Sequence, residues 1–286
     1  MYETRVVGID YLAGRVSGQA ALRLLSSGIT ADATQTFEVE GNPPKILQVS
    51  PEAFPHVVRD AAQKAEAARA ALGDALGWAV LAPLEQWETN GISCAFYERL
   101  RPISANRIGA FLQKRRITPL VIEWLHRIAA IDRGHNNQAE TCLTALANCP
   151  CAPLRIAADG ALDRLNRGLF APRFRVMHTD FWIGNILLDP SGLRDFVVID
   201  WRGSQVDGYP VFDLIRFADS VRLGPDMLRS ELQKHAQVLG CELEDSRSYL
   251  LAALGHIWMN LDQFPAERFA SMGERSLNVL DRAIHG

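Results

Sequence analysis

The sequence predicts an α+β protein of two lobes, a β-rich one over about residues 1–100 and a mainly helical one over 101–286. Three observations predict it. Short extended segments dominate before residue 100 and amphipathic helical ones after it. The chain has 286 residues, enough at about 100–200 residues per domain for two domains. Hydrophobic residues make up 48% and charged ones 22%, so each part can bury a core without a metal or disulfide staple.

The elements follow in order. Ala33–Glu40 alternates, with Phe37 and Val39 on one face and Thr34, Thr36, Glu38 and Glu40 on the other, which is the period of a half-buried strand. Gly41-Asn42-Pro43-Pro44 reads as a turn, and Lys45–Val49 as the returning strand of a hairpin. An Ala-rich helix is expected over about Pro55–Leu72, then strands over Ala79–Trp87 and Ile92–Leu100. Ser104 is a candidate cap for a helix with Ile108, Phe111 and Leu112 on one face. Thr118-Pro119 reads as a separate helix start, since proline is favoured at the first helical position. Val121, Trp124, Leu125 and Ile128 then recur at helical spacing. Ala152–Leu169 is a further expected helix. Three short apolar strands follow, Phe174–His178, Ile186–Leu188 and Phe196–Asp200. Helices return from Val211, with breaks near Gly224-Pro225, Gly240 and Phe264-Pro265.

Composition excludes several function classes. Thirty Lys and Arg against 33 Asp and Glu leave a net charge of −3, which argues against a nucleic-acid protein working through a basic field. No run approaches the roughly 20 apolar residues that span a bilayer, so no membrane partner is expected. Met1-Tyr2-Glu3-Thr4-Arg5 does not read as a secretion signal. Five cysteines, without paired CxxC motifs, point to reduced thiols and a cytoplasmic protein. The close pair Cys149 and Cys151 has no second pair spaced to complete a metal site.

Chemistry concentrates in His178-Thr179-Asp180-Phe181-Trp182-Ile183-Gly184-Asn185, followed by Ile199-Asp200-Trp201. Two carboxylates and an amide stand at the ends of short apolar strands, where polar side chains must find partners or do work. A loop and a hairpin suffice to bring Asp180, Asn185 and Asp200 together. Asn and Asp oxygens suit Mg²⁺, and a second Asp can receive a proton from a hydroxyl.

The spacing H-x-D-x-x-x-x-N, with an Asp ending the next strand, resembles the catalytic loop and metal site of kinases. The small residue after His178, the Gly before Asn185 and the pair Asp200-Trp201 and Phe212-Asp213-Leu214 most resemble the aminoglycoside phosphotransferase and choline kinase branch. The short interval from Asp200 to Asp213 leaves no room for the activation segment of a protein kinase. The resemblance implies a kinase-like fold. It implies transfer of the γ-phosphoryl group of ATP or GTP to a hydroxyl of a small acceptor such as an aminoglycoside, sugar or amino alcohol. Asp180 would orient or deprotonate the hydroxyl, and His178 would support the loop. Asn185 and Asp200 would hold Mg²⁺, and Asp213 would tie the loop to the helical lobe.

The same resemblance assigns nucleotide contacts to the first lobe. Ser27 and Gly28 lie in a candidate phosphate loop, and Glu66 matches the helix glutamate that pairs with a phosphate-binding lysine. Glu98 and Leu100 fall in the segment linking the lobes, where backbone groups hold an adenine edge. The lysine itself departs from the pattern: Gln48 stands at its place, and Lys45 three residues earlier faces the other way. A bulge near Pro44 would restore Lys45, so Lys45 is the preferred clamp on charge and Gln48 the alternative on register. Trp182 and Trp201 are candidate acceptor walls by stacking or cation–π contact, with core packing as the other reading. Gln48 also motivates a rival function, a kinase-like protein that binds nucleotide or a partner without catalysis.

Overall fold

The computed structural model describes residues 22–26, 33–132, 134 and 138–286. It divides into two compact units. The first comprises the described residues up to Ala62 together with Ala82–Arg99; the second comprises Gln63–Leu81 and Leu100–Gly286. The stretch Gln63–Leu81 thus groups with the residues from Leu100 onward.

The first unit is built on a five-stranded antiparallel sheet in the order β1-β2-β3-β5-β4. Its strands are β1 (Leu22–Ser26), β2 (Gln35–Val39), β3 (Lys45–Val49), β4 (Glu85–Thr89) and β5 (Ile92–Glu98). Alternation sends Phe37, Val39, Leu47, Val49, Cys94 and Phe96 into one core. β4 begins at Glu85, later than the strand expected from Ala79, where Val80 makes only an isolated bridge to Val198. The helix α1 (Val57–Gly77) is interrupted at Gly73, whose φ of 62° glycine alone adopts without strain. Its first free amides are satisfied from a distance. Val58 N donates to Ser50 Oγ at 2.9 Å and Arg59 N to Ser93 Oγ at 3.2 Å, while the two hydroxyls meet at 2.8 Å.

The second unit is mainly helical. Its helices are α2 (Arg107–Ala130), α3 (Gln138–Ala147), α4 (Ala152–Asn166), α5 (Val211–Val221), α6 (Pro225–Leu239), α7 (Asp245–Met259) and α8 (Ala266–His285). Short strands complete it: β6 (Arg101–Pro102), β7 (Arg175–Met177), β8 (Ile186–Leu188), β9 (Val197–Val198) and β10 (Gln205–Gly208). They form a β6-β8-β9 sheet and a β7-β10 pair.

Two helix expectations are corrected. Thr118-Pro119 starts no helix; Pro119 lies inside α2, which begins after the Asn106 cap. A mid-helix proline costs about 3 kcal/mol. Ile117, Val121, Trp124, Leu125 and Ile128 are buried on both sides of it, so packing holds the helix through. Ile108, Phe111 and Leu112 do share a helix, but they are exposed, because the buried face of α2 begins only at Ile117.

α7 is the buried axis of this unit, with Tyr249–Gly255 buried throughout. Gly255 is what lets α3 approach, since a Cβ there would fall 2.0 Å from the Cys142 carbonyl oxygen. Gly255→Ala should therefore lose at least about 1–3 kcal/mol in chemical denaturation. Gly160→Ala, at a helical position with open space around the new methyl, should instead gain about 0.4–1 kcal/mol. Equal effects of the two would refute this packing.

Candidate active site

The site of the second unit begins where β7 ends. His178 is buried, and Asp213 on α5 reaches into the turn: its carboxylate accepts from His178 N at 2.6 Å and from Thr179 N at 3.1 Å. These bonds hold Thr179 in the left-handed region, at φ 74°. Burial pushes the Asp213 carboxyl up to about 7, against the two amide bonds that favour its ionised form. His178 Nε2 meets the Ile199 carbonyl at 2.9 Å, and its Nδ1 meets Asp180 N at 3.3 Å. A carbonyl only accepts and an amide N–H only donates, so Nε2 carries the proton and Nδ1 accepts. Burial lowers the imidazole to about 4, so this tautomer is neutral at pH 7.

After Asp180 the chain makes a single 3-10 turn at Ile183–Asn185 and enters β8. β8 pairs with β9, Ile186 against Val198, and Ile199 N donates to the Asn185 carbonyl at 3.0 Å. The hairpin thus sets Asn185 at its start and Asp200 just past its end. Asn185 is buried and spends its amide N–H₂ on Asp180, at 2.8 Å to the backbone oxygen and 3.3 Å to Oδ2. Its Oδ1 faces no protein donor in that arrangement. Asp200 also stands in the left-handed region, at φ 63°. Desolvation raises its carboxyl above the usual range, Asp180 adds repulsion and Arg202 works against both.

The expected set Asp180, His178, Asn185 and Asp200 is therefore brought together. Oxygen donors from Asn185 and Asp200 fit a hard divalent cation. Among the described residues no group of three His, Cys, Asp or Glu forms a metal site, so Mg²⁺ here would draw its remaining ligands from phosphate and water.

The two tryptophans separate. Trp182 is 42% exposed, and its ring lies so close over Gly184 that a Cβ there would come within 2.3 Å of it. Trp201 is 3% exposed; its Nε1 donates to Val198 O at 2.9 Å and its ring packs edge-on to His178 at 4.6 Å. Trp201 is a core residue beneath the loop and does not wall a pocket.

Sequence reading missed Arg216 and Ser220. Arg216 Nη2 donates to Asp180 Oδ1 at 3.2 Å, and Ser220 Oγ accepts from Ile183 N at 3.0 Å. With Asp213 and Phe217, whose ring meets Phe181, they occupy i, i+3, i+4 and i+7 of α5. That spacing of polar groups in a helix otherwise buried was the available signal.

The nucleotide candidates of the first unit fall as follows. Ser27 and Gly28 lie outside the described residues. The β2–β3 register runs unbroken from Val39 opposite Lys45 to Gln35 opposite Val49, so the bulge expected near Pro44 is not there. Lys45 stays on the apolar face, its Nζ 5.4 Å from the centre of the Phe96 ring. Gln48, between Thr36 and Ala95, alone of the two occupies the other face. Glu98 ends β5 half-buried. In the second unit, Leu100 is buried and Glu66 is exposed on α1.

No family model and no curated protein matches this chain. Solved structures do. The choline kinase LicA from Streptococcus pneumoniae gives a TM-score of 0.56 at 15% identity, over 95% of this chain and 98% of that one. The macrolide 2'-phosphotransferase MphH from Brachybacterium faecium gives 0.56 at 17%, over 95% and 96%. The aminoglycoside phosphotransferase APH(3'')-Id from Streptomyces rimosus, in complex with ADP and streptomycin, gives 0.53 at 16%, over 87% and 99%. The fold is thus α+β and kinase-like, similar to that of these three proteins. These neighbours are small-molecule kinases, and one of them holds ADP. Among the described residues no helix is long and apolar enough to cross a membrane.

The neutral His178 has a pH consequence. Its folded value, about 4, lies below the roughly 6.5 of a free imidazole. The unfolded chain therefore binds a proton first as pH falls, and stability drains between about pH 6.5 and 4. His235, lowered to about 3 chiefly by burial, acts in the same direction, and the raised Asp213 in the opposite one. The difference between wild type and His178→Gln isolates His178. That difference should shrink by about 2–3 kcal/mol from pH 7 to pH 4 in urea denaturation. A constant difference would mean that His178 titrates normally.

Proposed function

We propose that the chain is a Mg²⁺-dependent small-molecule kinase, transferring the γ-phosphoryl group of ATP or GTP to a hydroxyl of an aminoglycoside, sugar or amino alcohol. One observation carries the reading. The β8–β9 hairpin and the Asn185 amide bring Asp180, Asn185 and Asp200 close together, with the Asp180 side chain half exposed. Kinase-like neighbours of nearly full length support it. Free thiols at all five cysteines support a cytoplasmic setting.

The acceptor oxygen would bond to the γ-phosphorus as the bond to the β–γ bridging oxygen breaks. Asp180 would take the hydroxyl proton, and the nucleoside diphosphate would leave. Little covalent chemistry falls to the protein in such a transfer; positioning and charge neutralisation do most of it. Asn185 Oδ1 and the Asp200 carboxylate would hold Mg²⁺, whose chemistry is to neutralise the charge on the phosphates. The half-exposed Trp182 would offer a flat face to the acceptor, and Ser27, Gly28, Glu98 and Leu100 would contact the nucleotide.

Asp180→Asn should keep the fold and lose turnover by about 10²-fold or more on a panel of alcohol acceptors. Undiminished turnover would remove Asp180 from the mechanism. The second reading, a binder without catalysis, is favoured by one feature, the neutral Gln48 where a lysine is expected. Thermal stabilisation by MgATP in a wild type that turns over no acceptor would select it.

A further inference from the structure

On its Gln48 face β3 carries no cation. Gln48 is neutral, and Lys45 lies on the apolar face over Phe96. Arg23 and Arg99, on the Gln48 face, are both paired with Glu38. Arg216 is different. It comes from α5, is 21% exposed at its side chain, and touches Asp180 through one bond of 3.2 Å. One turn further along the same helix, Asp219 takes Arg275 in two bonds of 2.6 and 3.0 Å. The paired fork of Arg275 is committed; the single long contact of Arg216 is easily exchanged. Arg216 Nε is buried and has no partner among the described residues, so its guanidinium keeps an unspent donor. Around it Asp180 repels two neighbouring carboxylates, Asp200 and Asp213. Burial chiefly raises Asp213 and Asp200, Asp180 raises both further, and Arg216 works against the rise at Asp213.

We infer that Arg216 turns from Asp180 to the terminal phosphate when nucleotide binds, and supplies a positive charge there. This rests on the kinase reading above. The exchange frees Asp180 Oδ1 to accept the acceptor hydroxyl. It also places a guanidinium, which binds phosphate oxygens in a planar fork, beside the phosphorus that is transferred. The resting pair keeps Asp180 oriented until then.

The test is calorimetric binding of MgATP and MgADP to the whole chain. Arg216→Ala should weaken MgATP about tenfold or more while shifting MgADP less than about threefold, since only ATP carries the contacted group. Arg216→Lys should recover part of the difference, and Arg216→Gln should not. Should Arg216→Ala fail to fold, the contrast between Lys and Gln decides. Equal losses for both nucleotides, no loss for either, or Gln matching Lys overturns the inference while leaving the kinase reading intact. A wild type that binds neither nucleotide overturns both. A wild type that binds without turning over removes only the catalytic reading, and the ATP-against-ADP ratio still decides on Arg216.

Discussion

The site depends on one buried carboxylate. Asp213 accepts the two consecutive amides that open the catalytic loop, His178 N and Thr179 N. A buried amide without a partner costs about 1–3 kcal/mol, so the two bonds decide whether this turn forms. Everything after it is cantilevered from that anchor. His178 is then placed to bridge Ile199 and Asp180, and the same helix reaches forward with Arg216 to Asp180 and with Ser220 to Ile183. One face of α5 thereby fixes three points of an eight-residue loop. A rigid element of known spacing positions a site better than loop–loop contacts do.

The electrostatics follow from the same placement. Asp180 is close enough to disfavour the ionised forms of both Asp200 and Asp213. The local counter-charges are Arg202, which offsets Asp200, and Arg216, which offsets Asp213 and bonds Asp180. His178 adds none, because burial keeps it neutral. A cluster with surplus carboxylate and an unengaged amide oxygen favours a divalent cation, and a cation there favours phosphate. The chemistry of the site is set as much by the neutrality of His178 as by the charges around it.

The candidate loop was legible in sequence because its residues lie close together in the chain. His178, Asp180, Asn185 and Asp200 span one loop and one hairpin, so spacing alone implies proximity. Asp213 was legible for the same reason. Arg216 was not, since its partner is fixed by how α5 packs, and an arginine three residues past an aspartate reads as a solvated helix charge. Trp201 misled in the opposite direction. Its neighbour Asp200 faces the site, but the strand end turns the indole inward, where Val198 O and the His178 ring receive it. Pro119 misled because local helix rules stop at the proline, whereas the buried residues on either side of it are a tertiary fact. The β2–β3 hairpin was read correctly, and its unbroken register is what separates Lys45 from Gln48.

Two residues of this site other than glycine stand in the left-handed region, Thr179 at φ 74° and Asp200 at φ 63°. Each such residue costs about 1–2 kcal/mol, more for the β-branched Thr179. The cost persists only where neighbours over-determine the backbone. At Thr179 the Asp213 carboxylate does so. At Asp200 the hairpin does, through Ile199, whose N–H goes to Asn185 and whose carbonyl takes His178. The flanking glycine matters here as well. Gly203 leaves room for the Thr179 hydroxyl, since a Cβ on it would lie 2.3 Å from that oxygen. The two strained positions are therefore not independent: the segment after Asp200 folds back against the residue before Asp180. A substitution that relaxed either turn would move both carboxylates, which ties the geometry of Asp180 to that of Asp200.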